Sequence, residues 1–359
     1  MPKRLFRKFL LLLVGALVIA LGITLFTTTQ ATTTFYYAVT DLGSLSAESV
    51  AYDINDSGQV VGYSAQNIAN SSYPPFGFGD MHAVLWKDGA IADLRFIGVI
   101  NYASGINNVG QVVCSSAPPS HVSGRCPYMW QNGNVTPIGG GCGDNRYVSA
   151  INNAGQVAGW DFVGPFVWQN GTMTFLSTLS GNNGSGRALG INNRGQVVGH
   201  SSTRIGYKQH AVLWKNGVIR DLGTLVGGHN SQAESINKDG KVVGWSDTSS
   251  GSKHAVLWQN RQITDLGTLG GNATLATDIN NRGTVVGYSI TVNNYNEIPV
   301  HAFVWRNGIM RDLNSRLPAD SGWELNTAYG INNQGQIVGG GEKDGQTRAF
   351  LLTPTWVTN

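Results

Sequence analysis

Ile191-Asn192-Asn193-Arg194-Gly195 and, further on, His210-Ala211-Val212-Leu213-Trp214-Lys215-Asn216-Gly217-Val218-Ile219-Arg220-Asp221-Leu222-Gly223 carry one complete structural unit. An apolar stretch ends at Ile191-Asn192, and Gly195 offers the left-handed position of a tight turn. A short β-branched run, Val197-Val198-Gly199, comes next. After a loop, the His-Ala-x-x-Trp string gives another strand. Asn216-Gly217 is the favoured pair for a type I′ hairpin turn, and Ile219 to Gly223 closes the unit. Counting back from that turn pairs Lys215 with Val218 and Val212 with Asp221, which sets His210 diagonal to Asp221 on the same face.

The unit repeats. Ile-Asn-x-x-Gly starts at Ile54, Ile106, Ile151, Ile191, Ile236, Ile279 and Ile331, at spacings of 52, 45, 40, 45, 43 and 52 residues. The second string follows each copy at His82 to Trp86, His254 to Trp258 and His301 to Trp305, with degenerate forms at Cys126 to Trp130, Gly164 to Trp168 and Arg348 to Leu352. Hairpin pairs recur at Asp88-Gly89, Asn132-Gly133, Asn170-Gly171 and Asn307-Gly308, while the fifth unit has the poorer Asn260-Arg261. Four short strands in about 45 residues make one propeller blade. These strings predict an all-β chain, a seven-bladed β-propeller of four-stranded antiparallel blades. A β-solenoid fits less well, because its rungs are parallel and need no hairpins.

The phase of the repeat predicts closure. The first copy opens on a fourth strand, Tyr37 to Gly43, and the last stops on a third, Arg348 to Leu352. Pairing the N-terminal strand with the C-terminal blade removes an open edge. The prediction includes an Arg348–Asp41 pair at the place of the His–Asp pairs His82–Asp93, His210–Asp221, His254–Asp265 and His301–Asp312. Units two and three lack both partners, carrying Cys126 with Pro137 and Gly164 with Phe175.

The units resemble the HAF-type extracellular repeat, named for its His-Ala-Phe string, which His301-Ala302-Phe303 reproduces. The resemblance runs over about residues 37–353. It implies export and repetition, and brings no defined molecular activity with it.

The chain starts with Lys3, Arg4, Arg7 and Lys8, then an apolar run from Phe9 to Phe26 and a small residue at Ala31. This is the layout of a signal peptide over residues 1–31, ahead of a propeller over 32–359. The alternative is one uncut N-terminal transmembrane helix, because the run just reaches bilayer length. Either arrangement puts the body in a secreted, periplasmic or cell-surface location. Removing 1–31 leaves 20 basic against 21 acidic residues. A near-neutral body argues against nucleic-acid binding, and a monomer is expected.

No catalytic, cofactor or metal site is read from the sequence. The repeated His–Asp pairs are expected to be buried structural locks, because an active site is usually single. Asp53, Asn55 and Asp56 are read as turn chemistry. All three cysteines lie in unit two, and the changes at Cys114 and Cys126 together suggest a Cys114–Cys126 disulfide, with Cys126–Cys142 the rival. Recognition is expected on the rim of variable loops between second and third strands, which carries Tyr73, Phe76, Phe78 and Tyr295, and on the link bearing Trp323. The expected function is a non-enzymatic module binding a protein or glycan. The alternative is a carbohydrate-active enzyme, a glycoside hydrolase or lyase, working in the central depression.

Overall fold

The computed structural model describes residues 33–65, 81–95, 100–117, 125–140, 145–181, 184–204, 208–291 and 299–358. The chain divides into two units. One is Tyr36–Thr355. The other comprises Met1–Phe35 and Trp356–Asn359, of which 33–35 and 356–358 are described, in strand conformation. The predicted signal segment lies outside the described residues. Among these residues no helix is long and apolar enough to cross a membrane.

Tyr36–Thr355 is a seven-bladed propeller. In blade four the strands Gly186–Ile191, Val197–Ser202, Gln209–Lys215 and Val218–Gly223 pair consecutively and antiparallel. The register has Lys215 opposite Val218 and Val212 opposite Asp221. The other blades repeat this order. One parallel bridge, Met81 to Ile100, joins the sheets of blades one and two. Blade seven combines the two ends of the sequence, with Thr33–Asp41 paired to Gln346–Thr358, which pairs in turn with Ile337–Lys343 and Trp323–Ile331. Inside the propeller unit Leu42 N–H donates to Ala349 O at 3.0 Å.

The core lies between blades. Val198, Ala211 and Leu213 of blade four pack against Ala233, Ile236, Val242, Val256 and Trp258 of blade five. The Trp of the repeated string anchors these layers: Trp86, Trp214 and Trp258 are all buried. Removing one such ring costs about 3–5 kcal/mol. The hairpin turns take the left-handed geometry that their residues favour, with φ of 51° at Asn216 and 76° at Gly217. Gly199 is required by close approach, because a Cβ there would run into the carbonyl oxygen of Arg187.

Each inner strand carries a β-bulge at the same place. The skipped residues are Tyr52, Ser104, Ser149, Leu189, Glu234, Thr277 and Tyr329. A bulge inserts one residue and re-aims its side chain. Here the seven insertions line the central channel.

Candidate functional site: the two ends of the central channel

The bulge residues line two cavities stacked along the axis. On the side of the first turns is a cavity of about 280 Å³ bordered by the repeated asparagines. On the opposite side, towards the loops between second and third strands, is a cavity of about 420 Å³.

The asparagine end is built from one interaction used seven times. The Nδ2 of Asn55 donates to Asn107 O at 3.1 Å, and Asn107, Asn152, Asn192, Asn237 and Asn280 each donate to the matching carbonyl of the next blade. Asn332 completes the circuit by donating to Asn55 O at 3.1 Å across 277 residues of sequence. Each Oδ1 meanwhile accepts two backbone N–H groups of its own turn, as Asn332 does from Gln334 and Gln336. A second circuit joins the following residues: Asp56, Asn108 and Asn153 donate their N–H to Asn108, Asn153 and Asn193 Oδ1, and Lys238, Asn281 and Asn333 to Asn281, Asn333 and Asp56 Oδ1. It breaks between Asn193 and Lys238, because a lysine has no acceptor. The turn reading of Asn55 and Asp56 was therefore incomplete: the same amides also bind blade to blade.

Two carboxylates reinforce this end. Asp53 accepts the N–H of Ile54 and, in the next blade, that of Ile106, both at 2.8 Å. Asp278 does the same with Ile279 and Ile331, and also accepts Ser235 Oγ. Burial, with the neighbouring Asp278 charge adding to it, pushes the Asp53 carboxyl up to about 7 against the pull of its two N–H donors. Asp278 is also raised, chiefly by burial.

The other end is aromatic. Tyr52, Tyr102, Tyr288, Tyr329 and Trp160 line it, with Leu275 and Glu234. Tyr52 meets Tyr329 edge-on at 5.1 Å between ring centres and Tyr102 at 6.2 Å. Tyr147 stacks on Trp160 at 4.9 Å. Burial raises the phenols of Tyr52, Tyr288 and Tyr329, so all three are neutral donors at neutral pH. Beside this mouth, next to Trp160, Phe162 and Val163 in the short second loop of blade three are 77% and 59% exposed. A cavity of about 550 Å³ runs from Phe162 and Val163 to Arg187 and His200. Burial and the Arg187 charge take His200 down to about 4, so its ring is neutral.

The residues expected from sequence fall out as follows. His82 Nδ1 lies 2.9 Å from Asp93 Oδ2, and the corresponding distances are 2.8 Å for His210–Asp221, 2.8 Å for His254–Asp265 and 2.7 Å for His301–Asp312. The expected burial is corrected: these side chains are partly exposed, with 25% of His82 and 27% of Asp93 accessible. The second aspartate oxygen caps the turn two residues on, as Asp221 Oδ1 does for Gly223 N–H. Each carboxylate thus clips the third strand to the start of the next link.

The Arg348–Asp41 ion pair is not formed. Arg348 donates instead to Ser44 Oγ at 2.6 Å and to Gln346 Oε1 at 2.7 Å. Lys343 takes Asp41 Oδ2 instead, at 3.5 Å. Asp41 Oδ1 still caps Gly43 N–H, so the aspartate keeps its turn while its partner changes.

The Cys114–Cys126 bridge is also overturned, since Cys114 is a free, buried thiol. Its strand register sets Cys114 opposite Tyr128 and Cys126 opposite Ser116. The equivalent hairpin of blade three has the same register, with Gly159 opposite Phe166 and not Gly164. Cys142 lies outside the described residues.

Tyr73, Phe76, Phe78 and Tyr295 lie outside the described residues as well. Trp323 packs edge-on against Phe350 at 6.2 Å and is covered by Lys343 at 5.6 Å, so it is engaged within blade seven. Sequence reasoning missed Phe162 and Val163. Their signal is an apolar pair inside a four-residue loop, Asp161 to Gly164.

No family model matches this chain, and no curated protein matches it. Solved structures do. The β-propeller domain of the Trilobed protease from Pyrococcus furiosus, described as having an open velcro topology, superposes with a TM-score of 0.54 over 88% of this chain and 96% of that one, at 11% identity. The extracellular domain of a putative hybrid two-component system from B. thetaiotaomicron gives 0.52 over 88% of this chain at 11% identity, and this chain spans 40% of that protein's length. YCF48 bound to D1 peptide gives 0.50 over 90% and 96% of the two chains at 13% identity. At such identities the likeness concerns the fold, and the fold is a seven-bladed propeller.

Proposed function

We propose that this protein is an exported, non-enzymatic binding or scaffolding module that recognises a protein or glycan through its variable-loop rim. The observation that carries the reading is the aromatic chamber of about 420 Å³ opening on that side, flanked by exposed Phe162 and Val163. Rigid blades fix the chamber, and loops on a rigid scaffold are the usual place for recognition. Aromatic rings supply contact area with little loss of side-chain freedom. The peptide carried by YCF48 is in keeping with a polypeptide ligand.

The test is a glycan array and a pull-down with the full-length chain, run in parallel with the double variant Phe162→Ser/Val163→Ser. The reading expects a ligand that the double variant loses while its melting temperature holds.

The raised carboxyls of Asp53 and Asp278 are the observation favouring a second reading, a carbohydrate-active enzyme, since glycoside hydrolysis uses a pair of carboxyls of which one, the acid, is raised. Against it, both Asp53 oxygens and both Asp278 oxygens are already held by backbone N–H groups. Turnover of a polysaccharide, lost in Asp53→Asn, would replace the first reading with the second.

A further inference from the structure

The lining of the aromatic chamber points to a chemical class of ligand. Its charged residue is Glu234, which takes the bulge position that other blades fill with Ser104, Ser149, Leu189 or Thr277. Glu234 Oε1 accepts Gln232 Nε2 at 2.5 Å, and Oε2 has no hydrogen bond among the described residues. Burial pushes this carboxyl up. An ion held there without a counter-charge is costly.

The rings around it separate into two groups. The rings of one group already carry the protein's own cations. Arg125 lies 5.2 Å over Tyr102 and 5.6 Å over Tyr147, Arg187 lies 5.0 Å over Trp160, and Lys253 lies 4.2 Å over Trp245. Among the described residues no cation lies over Tyr52, Tyr288 or Tyr329, which line the chamber. Below the bulges the neighbouring cavity adds Asp53, Asp56 and Asp278 to Glu234, against Lys238 alone. A recess with one sign of charge and aromatic faces concentrates the opposite charge. Its volume of about 420 Å³ is within the range of small-molecule sites. An anion would meet Glu234 unscreened. A neutral sugar would leave that carboxylate uncompensated.

We propose that the chamber binds an organic cation, a guanidinium or alkylammonium head seated among Tyr52, Tyr288 and Tyr329 and directed at Glu234. The inference rests on the reading of this side as the recognition face, and it names the chemistry recognised there. The head could come from a basic side chain of a polypeptide or from a free small cation, and the same recess would read both.

The experiment is fluorescence anisotropy of a labelled Gly-Ser peptide with one central arginine, compared with its citrulline counterpart, on the full-length chain. Ethylguanidinium and tetramethylammonium serve as free-cation competitors. The arginine peptide is expected to bind at least about tenfold more tightly than the citrulline one. Glu234→Gln, which keeps size and shape, is expected to remove that preference. Tyr329→Phe should retain binding and Tyr329→Leu should weaken it several-fold, since the ring face and not the hydroxyl carries the attraction. Displacement by the free cations assigns the source to the head alone; a preference that survives them assigns it to the peptide. Either supports the proposal. Equal binding of both peptides, no binding of the arginine peptide, or an unchanged preference in Glu234→Gln variants that melt like the parent would overturn it. Should a natural ligand need Phe162 and Val163 but not Glu234, the recognition face stands and the cation site falls.

Discussion

The two ends of the channel are made by the same seven strands, yet they are opposite in character. At the first-turn end every blade contributes the same asparagine, and each amide spans to the next blade. At the other end the equivalent bulge positions hold tyrosine, serine, leucine, glutamate and threonine. A residue repeated in every blade serves what every blade must do, which is to join its neighbours. A residue that differs from blade to blade can serve only something that meets the ring once. The contrast sets closure at one end apart from the recognition proposed for the other.

The largest effect is expected from Asn332→Ala. It removes the donor to Asn55 O and the acceptor for two backbone N–H groups in a buried turn. Two part-buried N–H groups lose their acceptor and one interblade hydrogen bond is lost, while Asn55 O keeps the Gly58 N–H at 3.0 Å, for a cost of about 4 kcal/mol in all. Urea unfolding should show that loss. A loss below about 1 kcal/mol would mean that the circuit is ornamental and that interblade packing alone closes the ring.

Acid strengthens the same end. Asp53 holds its proton up to about 7 in the folded chain, while an unfolded aspartate releases it near 4. Between those values the folded state binds more protons, so stability is fully present at the acid side and is lost as pH rises towards 7. The change is at most about 4 kcal/mol. Removing the neighbouring charge in Asp278→Asn should flatten this slope. Urea midpoints at pH 4, 5.5, 7 and 8 decide the matter, and a midpoint that climbs over that interval contradicts the assignment.

Much of the closure was legible because it is written in local chemistry. Asn216-Gly217 dictates a hairpin by its backbone preference, and the mid-unit phase of Tyr37 and Arg348 dictates a shared blade. What escaped was everything set by one residue of register. A bulge leaves no mark on an alternating pattern, so Tyr52 and Tyr329 read as strand residues and their meeting in the channel could not be anticipated. The cysteines turn on register too: Cys114 faces Tyr128 and Cys126 faces Ser116, so the two side chains are not opposed. The seven asparagines were visible, but a turn explains an asparagine by itself, and only the ring shows where its amide points. Arg348 finds its partners in Ser44 and Gln346, and Lys343, a residue outside the repeated strings, takes Asp41.

A smaller effect sharpens the contrast from the other direction. Lys238 interrupts the second circuit, leaving Asn193 N–H without the side-chain acceptor that the other blades provide. Lys238→Asn should supply it. The site is exposed, so a gain of about 0.5–1 kcal/mol is expected. Urea unfolding of Lys238→Asn beside the parent measures it, and no gain would mean that the second circuit adds nothing at this joint.

The smallest expected change is at a turn that belongs to neither end. Blade five closes its hairpin with Asn260-Arg261, and Arg261 is held at φ 63°, where the other blades place glycine. A left-handed conformation costs a side-chain-bearing residue roughly 1–2 kcal/mol, partly offset by the entropy that glycine loses on folding. Arg261→Gly should therefore stabilise the chain by about 0.5 kcal/mol, seen as a small rise in the urea midpoint with an unchanged slope. Because the turn is remote from both cavities, ligand binding should not move. Destabilisation instead would mean that the arginine side chain makes a compensating contact on the rim, and that even the repeated turns carry blade-specific information.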